Sequence, residues 1–230
     1  MSRLSIIVPT LDEAAGIAAC LERLRPLRDR GAEVVVADGG SADGTAALAA
    51  PWADRVVTAP RGRAAQMNAG AAASRGDTLL FLHADTRLPD DADRLVLEGL
   101  AASGRPWGRF DVAIEGRPAM LRVVAACMNA RSRLTGIATG DQAIFVRRAA
   151  FDSAGGFPAI ALMEDIALSK ALKRIGPPLC LRSRALTSGR RWERHGTLAT
   201  ILLMWRLRLA YFLGADPARL AKRYGDGRAS

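Results

Sequence analysis

The chain has 230 residues, three cysteines and a formal net charge of +10 at pH 7. This length suits a single domain that builds its own hydrophobic core. The cysteines are odd in number, widely spaced and set among apolar neighbours, which argues against a disulfide framework and against a cysteine-based zinc site. We therefore expect a reducing, cytoplasmic setting.

The positive charge is concentrated toward the C-terminal end. Residues 181–230 contain 11 Arg and Lys and 3 acidic residues, an excess of eight positive charges. Such a field implies an anionic partner, such as a nucleotide diphosphate or a lipid headgroup. We expect no nucleic acid partner, because aromatic residues are sparse and no nucleic-acid-binding motif accompanies the charge.

Two patterns argue against a membrane-spanning segment. The N-terminus enters a strand-like run at once, without the pattern of a secretory signal. The most hydrophobic stretch, 198–213, is interrupted by Arg206 and Arg208 and falls short of the ~20 apolar residues that a span requires. We expect membrane contact to be at most peripheral, at the inner membrane surface.

The first half of the chain alternates between two kinds of segment. Strand-like runs at 4–8, 33–37, 55–58 and 78–83 alternate with Ala- and Leu-rich helical stretches at about 12–18, 43–50, 63–74 and 91–102. This alternation predicts an α/β fold with a mainly parallel sheet and helices on both faces. Ligands of such sheets bind beyond the carboxyl ends of the strands.

Beyond residue 103 the pattern is mixed. It predicts strands at 109–115, 142–146 and 179–182, and helices at 118–133, at 164 to about 174, and at 197–213. We expect one domain, with a nucleotide-binding half at about 1–103, a mixed half at about 104–195, and a C-terminal helix with a basic tail at about 196–230. The last helix is expected to pack against the domain or, in a homodimer, against a second subunit.

Polar residues follow the first two predicted strands. Pro9, Thr10, Leu11 and Glu13 come after the first strand, and the spacing of Thr10 and Glu13 is that of a capping box. For these two residues, a structural cap and a ligand contact are both open.

Asp38 follows the second strand and is expected to bind a ribose or base, since Gly39 and Gly40 let the backbone approach a ligand closely. The structural alternative is a tight glycine turn. Asp43 is expected mainly to cap the next helix.

A third polar group begins the helix predicted at 63–74. Arg63, Gln66 and Gly70 share one face of this helix, which places a cation and an amide beside the same crevice. Asn68 lies in the same helical segment. A diphosphate is the partner that this arrangement suits. For Arg61 we favour an exposed helix start.

The fourth strand leads into His83, Ala84 and Asp85. His83 and Asp85 are two residues apart, so on an extended strand they point to the same side. Their ligand atoms suit Mn²⁺ or Mg²⁺ with open positions for a substrate phosphate. His195 is the third candidate ligand, with a structural role as the alternative.

Glu164 and Asp165 are predicted to open a helix. Acids in a first helical turn stabilise the helix dipole, and an ionised acid at such a position can also serve as a general base. The sequence pattern alone leaves both roles open.

Taken in order, these segments resemble the family 2 glycosyltransferases of the GT-A fold. The matching segments are 6–13, 38–45, 63–70, His83-Ala84-Asp85, Gly155-Gly156-Phe157 and Glu164-Asp165. Details at 62–68, 81–86 and 140–145 are similar to a small bacterial branch called radical-SAM/selenodomain-associated transferase 2.

The resemblance implies a nucleotide-diphosphate sugar donor, a UDP-sugar rather than a GDP-sugar, and a divalent cation held by Asp85. His83 stands where the family has the first Asp of its metal motif. Asp165 is the implied base, with Glu164 beside it. The residues implied around the nucleotide sugar are Pro9, Thr10, Leu11, Glu13, Asp38, Gly39, Gly40, Arg63, Gln66, Asn68, Ala84, Asp85, Arg191 and Trp192.

The implied reaction is an inverting, non-processive transfer to a hydroxyl of a small-molecule or lipid-linked acceptor. Processive members of the family carry a Gln-x-x-Arg-Trp motif and membrane helices. Here Ser188 replaces that Gln before Arg191-Trp192, and the membrane helices are missing.

Two other classes remain as alternatives. A nucleotidyltransferase would require a Gly-rich loop with Arg or Lys after the first strand. Residues 9–13 contain neither glycine nor lysine. A non-catalytic module that binds nucleotides or a lipid surface would not need Asp85 and Asp165, which therefore argue against it.

Overall fold

The computed structural model describes residues 3–226 of the chain. Its strands are β1 (Leu4–Thr10), β2 (Glu33–Asp38), β3 (Arg55–Thr58), β4 (Thr78–Phe81), β5 (Thr86–Arg87), β6 (Trp107–Glu115), β7 (Phe145–Arg147) and β8 (Leu179–Ser188). Its helices are α1 (Ile17–Glu22), α2 (Arg25–Asp29), α3 (Thr45–Ala49), α4 (Arg63–Ala73), α5 (Ala92–Ser103), α6 (Met120–Thr135), α7 (Arg148–Ser153), α8 (Glu164–Ile175), α9 (Arg190–His195), α10 (Thr197–Phe212) and α11 (Pro217–Asp226), and a 3-10 turn covers Gly140–Gln142.

The eight strands form one mixed sheet in the order β3-β2-β1-β4-β7-β6-β8-β5. Strands β3, β2, β1 and β4 run parallel, as the alternating first half of the sequence predicts. β7 is antiparallel to both β4 and β6, β8 is parallel to β6, and β5 is antiparallel to β8. The predicted α/β class, with a mixed second half, is confirmed.

The sheet is buried on both faces at its centre. Every residue of β1 and β2 is buried, because side chains alternate between two separate hydrophobic cores. Ile6 and Val8 of β1 pack with α1, α2 and α5 on one face. Ile7 packs with α4 and α8 on the other face. The apolar run that predicted the first strand therefore reflects two layers of helices.

Residues 12–16 are not helical, so the predicted helix at 12–18 is wrong at its start. The first helix begins only at Ile17, and Asp12 has a left-handed backbone with φ 53°. The backbone N–H groups of this segment are bound by the loop after β2 instead. Asp12 N donates to Ser41 Oγ (2.9 Å), and Ala14 N donates to Asp43 Oδ2 (2.9 Å). A neighbouring loop thus satisfies the donors that a helix would have used.

The capping box predicted from Thr10 and Glu13 is therefore wrong as well. Thr10 ends β1 and its hydroxyl donates to Asp38 Oδ1 (3.3 Å). The backbone N–H of Glu13 donates to Thr45 Oγ1 (2.8 Å). Both residues join the first two loops, and the helix that follows has Gly16 at its N-cap without a side-chain cap.

The second half departs from the prediction mainly in β8. The predicted strand at 179–182 is too short, because β8 continues to Ser188 alongside β6. The register shifts within this pair, so Phe110 faces Leu181 but Asp111 faces Arg184. Such a bulge breaks the two-residue alternation by which a strand is recognised in a sequence. Three short helices, α7, α9 and α11, were also not predicted.

The C-terminal helices pack onto the domain through a third hydrophobic cluster. Leu207 of α10 and Leu220 of α11 are buried with Met163 and Ile166, the residues on either side of the Glu164-Asp165 pair. The expected packing of the last helix against the domain is confirmed for this face. Within residues 3–226, none of the helices has both the length and the hydropathy to cross a membrane.

Helix α4 lies unusually close to β1, and Gly70 is the reason. A Cβ atom at Gly70 would lie 2.4 Å from Cγ2 of Ile7, a contact that cannot exist without moving the helix. We expect Gly70→Ala to lower the free energy of unfolding by about 1–3 kcal/mol through overpacking. Chemical denaturation measures this change. Gly16→Ala is the control, since nothing lies within 4 Å of its added methyl, and an equal loss there would contradict the explanation.

Candidate active site

The loops that follow β1, β2 and β4 meet at one edge of the sheet. Thr10 is the register partner of Asp38, so the last residues of β1 and β2 stand side by side. Leu82 continues from β4 beside β1, its backbone N–H donating to Ile7 O (2.9 Å), and leads into the turn with His83 and Asp85. The predicted residues thus come together at the strand ends, where ligands of α/β sheets bind.

Asp38 is a buried carboxylate with a complete set of donors. Its Oδ2 accepts from the backbone N–H groups of Gly40 (3.0 Å) and Ser41 (2.9 Å), and its Oδ1 accepts from the hydroxyls of Ser41 (2.5 Å) and Thr10. Burial acts to raise the pKa of Asp38, but the hydrogen bonds from Ser41, Gly40 and Thr10 outweigh it, so the pKa is lowered. Asp38 is therefore a fixed anion that shapes the loop.

Gln66 holds the ends of β1 and β2 together from beneath. Its buried amide Nε2 donates to the backbone carbonyls of Thr10 (2.5 Å) and Ala37 (3.2 Å). A Cβ atom at Gly39 would lie 2.9 Å from the same nitrogen, so Gly39 leaves the space that this amide occupies. Gly40 has φ 83°, a left-handed backbone that favours glycine. The face of α4 that carries Gln66 and Gly70 is turned to the sheet and not to a crevice.

Asn68 makes a two-point contact with a distant loop. Its Nδ2 donates to Phe157 O (2.8 Å) and its Oδ1 accepts from Phe157 N (2.9 Å). A Cβ at Gly156 would lie 2.9 Å from this Oδ1, so Gly156 is needed for the contact. Asn68 therefore fixes the loop that precedes α8 and positions it against α4.

Glu13 and Asp85 form a pair of like charges at the open side of the site. Burial raises the pKa of Glu13, and the negative charge of Asp85 raises it further, while the positive charges of Arg190 and Arg63 act against this. Asp85 is exposed, and its carboxylate contacts the Thr86 hydroxyl at 3.4 Å. The charges of Asp85, Arg190 and Arg63 thus all act on Glu13.

The Glu164-Asp165 pair also lies within reach of the charge of Arg63. Burial raises the pKa of Glu164, and the neighbouring charge of Asp165 raises it further, with Arg63 opposing. Burial also raises the pKa of Asp165, although hydrogen bonds from the backbone N–H groups of Gly140 (2.9 Å) and Ile166 (2.7 Å) favour its charged form. Asp165 is thus an acid whose proton affinity is increased by its surroundings, as a general base requires.

Arg63 begins α4 and faces this acidic group. Partial desolvation acts to lower its pKa, but Tyr224 and three nearby acids outweigh that effect and raise it. The three acids are Asp141, Glu164 and Asp165. Arg63 is itself solvent-exposed, so its guanidinium is a permanent cation at the boundary between the acids and the open cleft.

A small cavity separates Asp165 from the sheet. Its walls are mainly apolar, and they are formed by Met67, Phe81, His83, Gly140, Ile144, Phe157, Glu164 and Asp165. The ring of His83 packs directly on Gly140, where a Cβ atom would come within 2.3 Å of it. Its Nδ1 lies 3.4 Å from Asp141 Oδ1. The 3-10 turn thus holds the backbone donor for Asp165 and the support for His83 in one unit.

Comparison with known proteins identifies the family of this chain. The sequence model of the family described as "Glycosyl transferase family 2" matches residues 5–150, which is more than half of the chain. The chain belongs to glycosyl transferase family 2.

A curated relative matches part of this family 2 chain. It is the succinoglycan biosynthesis protein ExoA of Rhizobium meliloti (strain 1021), 39% identical over 111 residues, with 42% of this chain and 32% of the relative covered. The match therefore spans about a third of that relative's length. The radical-SAM/selenodomain-associated branch is not tested by these matches and stays a prediction.

Solved structures share the fold. S. aureus TarS 1-349 in complex with UDP-GlcNAc has a TM-score of 0.66 at 16% identity and covers 81% of this chain and 58% of its own. The mannosyltransferase PcManGT from Pyrobaculum calidifontis in complex with GDP-Man and Mn²⁺ has a TM-score of 0.65 at 24% identity, with 91% and 61% covered. At these identities the likeness establishes a GT-A fold and nothing further.

The predicted metal ligands are not gathered into a shell. Among residues 3–226, no three His, Cys, Asp or Glu side chains lie in a cluster that could hold a metal ion. His83 follows β4 and contacts Asp141, Asp85 lies at the open side near Glu13, and His195 ends α9. The roles of Asp85, His83 and His195 as metal ligands stay predictions.

The remaining predicted contacts are placed as follows. Pro9 is buried within β1, and Leu11 and Ala84 are half-buried in the loops that follow β1 and β4. Trp192 is half-buried in α9, and Arg191 lies in the same helix, but its side chain lies outside the described part of the structure. Their roles as contacts of a nucleotide sugar stay predictions.

Sequence reasoning missed three residues that face the acidic group. Asp141 lies beside His83, and Tyr224 is near Arg63. Burial raises the pKa of Tyr211, and the charge of Asp165 raises it further. Asp141 stood in a recognised segment, at 140–145, and could have been found there. The two tyrosines lie in the last two helices, and no local sequence pattern indicated that they would approach the acidic group.

The hydrogen bonds to Asp38 predict a pH-dependent contribution to stability. Because its pKa is lowered from the ordinary 3.8, the contribution is fully present above that value and is lost as the pH falls through the lower, folded-state pKa. We expect Asp38→Asn to cost about 1–3 kcal/mol at pH 7, with a smaller difference in strong acid. Unfolding measured at both pH values, with Asp152→Asn as the exposed control, tests this. A cost that does not change with pH would contradict it.

Proposed function

We propose that the chain transfers a sugar from a nucleotide-diphosphate sugar to a hydroxyl acceptor by a metal-dependent, inverting and non-processive reaction. The observation that carries this proposal is the meeting of Arg63 with the Glu164-Asp165 pair, which brings a permanent cation and an acid of raised pKa to one cleft. Transfer from a diphosphate needs both groups, one for the leaving group and one for the acceptor proton.

On the donor side, the loops after β1 and β2 are proposed to hold the nucleotide. They are already tied together by Asp38, Thr10 and Ser41, so little ordering is needed when a nucleotide binds. Glu13 is proposed to contact the same nucleotide from the first of these loops. UDP or UDP-GlcNAc is present in TarS structures, and UDP in a structure of the M. tuberculosis glucosyl-3-phosphoglycerate synthase. These complexes support a UDP-sugar donor, although PcManGT binds GDP-Man.

The side chains that could coordinate a metal ion suit a divalent cation with few protein ligands. Asp85 is an exposed carboxylate, and its repulsion of Glu13 is a strain that a bound cation would relieve. We propose Asp85 as the ligand, with His83 as the second candidate, and diphosphate oxygens in the remaining positions. When bound, Mn²⁺ or Mg²⁺ would offset the charge of the departing diphosphate. Structures of PcManGT with Mn²⁺ and of the synthase with Mg²⁺ support this proposal.

On the acceptor side, Asp165 is proposed to take the proton of the acceptor hydroxyl. The acceptor oxygen forms a bond to the anomeric carbon while the bond from that carbon to the diphosphate oxygen breaks, so the configuration inverts in one step. Arg63 and the exposed Arg190 stabilise the diphosphate that leaves. The N–H groups of Gly140 and Ile166 fix the carboxylate of Asp165 in place throughout.

Donor binding is the first test of the proposal. A thermal-shift screen of UDP- and GDP-sugars with Mn²⁺ is expected to find a donor that raises the melting temperature, because a ligand that binds only the folded state stabilises it. Any shift should disappear when Mn²⁺ is removed with a chelator. If no nucleotide sugar shifts the melting temperature, donor binding is wrong.

Arg63 provides a sharper test of donor binding. We expect Arg63→Met to weaken binding of the donor identified above about 10- to 100-fold, since it removes charge-assisted contacts to the diphosphate. The matched control is Arg61→Met, two residues earlier at the exposed helix start, which should change the affinity by less than about twofold. Equal losses for the two variants would show a general effect of positive charge.

Asp165 provides the test of chemistry. We expect Asp165→Asn to lower the transfer rate about 10²- to 10⁴-fold, with donor affinity nearly unchanged, because only proton removal is lost. Asp152→Asn, a matched change on the exposed surface of α7, should leave the rate unchanged. In the wild type, the rate should rise with pH through a pKa above the ordinary aspartate value. Transfer at near wild-type rate by Asp165→Asn would rule out this base.

A further inference from the structure

The outer face of α10 carries a stripe of exposed apolar side chains. The stripe consists of Leu198, Leu202, Trp205, Leu209 and Phe212, which are between 54% (Leu202) and 77% (Phe212) exposed. Their spacing of four and three residues places all five within about 40° of one line along the helix. With Leu213, this short segment holds six of the eleven large hydrophobic side chains that are exposed among the described residues.

The opposite face of α10 is apolar too. Leu203, Met204 and Leu207 pack in the cluster with Met163 and Ile166. A surface helix normally has one apolar face and one polar face, whereas a helix that is apolar all round has partners on both sides. The stripe on the outer face is therefore a contact surface, and it needs a partner outside residues 3–226.

Positive charge borders the stripe. Arg206 and Arg208 lie about 80° to either side of its midline, so the two arginines flank it. Burial lowers the pKa of Arg208, which is half-buried, whereas Arg206 is exposed. Such side chains can lay their apolar stems on a hydrocarbon surface and keep the guanidinium in a polar layer. Across residues 190–224 there are eight basic and two acidic residues.

The charge decides between two occupants. A second copy of the chain would bring two such segments together, each with an excess of six positive charges over residues 190–224, and they would repel. An anionic lipid surface is complementary to this charge, and its boundary layer accepts Trp, Phe and Leu side chains. We propose that the stripe on α10 and its flanking arginines dock onto an anionic lipid bilayer, with the helix lying in the plane of the surface.

The docked surface would lie close to the acceptor side of the site. Phe212, at the end of the stripe, follows Tyr211, and the charge of Asp165 reaches Tyr211 and raises its pKa beyond the effect of burial. Lys170 of α8 stands over both rings, at 5.2 Å and 5.5 Å from their centroids. The consequence that a lipid-linked acceptor reaches Asp165 rests on the proposed function. The docking itself does not.

Vesicle flotation tests the docking with the full chain. The wild type is expected to float with vesicles of phosphatidylcholine and phosphatidylglycerol, to float less with phosphatidylcholine alone, and to be released by high salt. The double variant Trp205→Glu/Leu209→Glu should bind at least about tenfold less. Leu134→Glu is the control, since it puts the same charged residue in place of an exposed leucine of α6, although it adds one negative charge and the double variant adds two. It should bind within about twofold of the wild type.

A second measurement does not depend on the double variant folding. Brominated phospholipids should quench part of the tryptophan fluorescence of the wild type, and that part should be missing in Trp205→Phe. No flotation, equal loss in Leu134→Glu, or no quenching of Trp205 would each overturn the proposal. So would a dimer, measured by light scattering without lipid, that the double variant loses. Nucleotide-sugar binding in solution is measured without vesicles, so failure of the proposed function remains distinguishable.

Discussion

The buried amide of Gln66 is the interaction on which the rest of the site depends. By donating to the carbonyls of Thr10 and Ala37, it attaches α4 to the ends of β1 and β2 at a fixed height. Gly70 allows the close approach that this attachment requires. Arg63 lies at the N-terminal end of α4 and is therefore placed at the cleft. The hydrogen bonds between Asn68 and Phe157 fix the loop before α8. One helix therefore determines the spacing between Asp165 and the loops that follow β1 and β2.

The site is held rigidly, but several of its features lower the stability of the folded chain. All three non-glycine residues with left-handed backbone among residues 3–226 lie beside it: Asp12, Ala143 and Met163, with φ of 53°, 45° and 72°. Met163 directly precedes two carboxylates whose charged forms are disfavoured by burial. Strained backbone and desolvated acids both lower stability, and they persist only where surrounding contacts hold them. A chain selected for stability alone would have no use for this combination.

The C-terminal helices make the surroundings of Asp165 part of a larger surface. Leu207 and Leu220 bury the residues on either side of the acidic pair, so the turn that carries Asp165 is packed from outside the sheet. Tyr211 and Tyr224 bring further groups to the same place. The loops after β1, β2 and β4, in contrast, belong to the parallel half of the sheet. The two halves of the cleft thus have different supports, and changes in α10 would reach the turn that carries Asp165 first.

The amino-acid sequence by itself determined the parallel half of the fold and the positions of its polar residues. Continuous apolar runs at β1, β2 and β4 report burial on both faces, and the residues that end them must therefore lie at one edge. The choice of Asp165 as the base followed only from resemblance to a family. The tertiary structure decided which groups these residues meet. Thr10 and Glu13 have the spacing of a helix cap, yet their partners are Asp38 and Thr45 on another loop. Gln66 looked like a ligand contact, and its amide binds the backbone. Local patterns record periodicity and composition, but hydrogen-bond partners from distant segments, a bulge in β8 and the two faces of α10 exist only once the chain has packed.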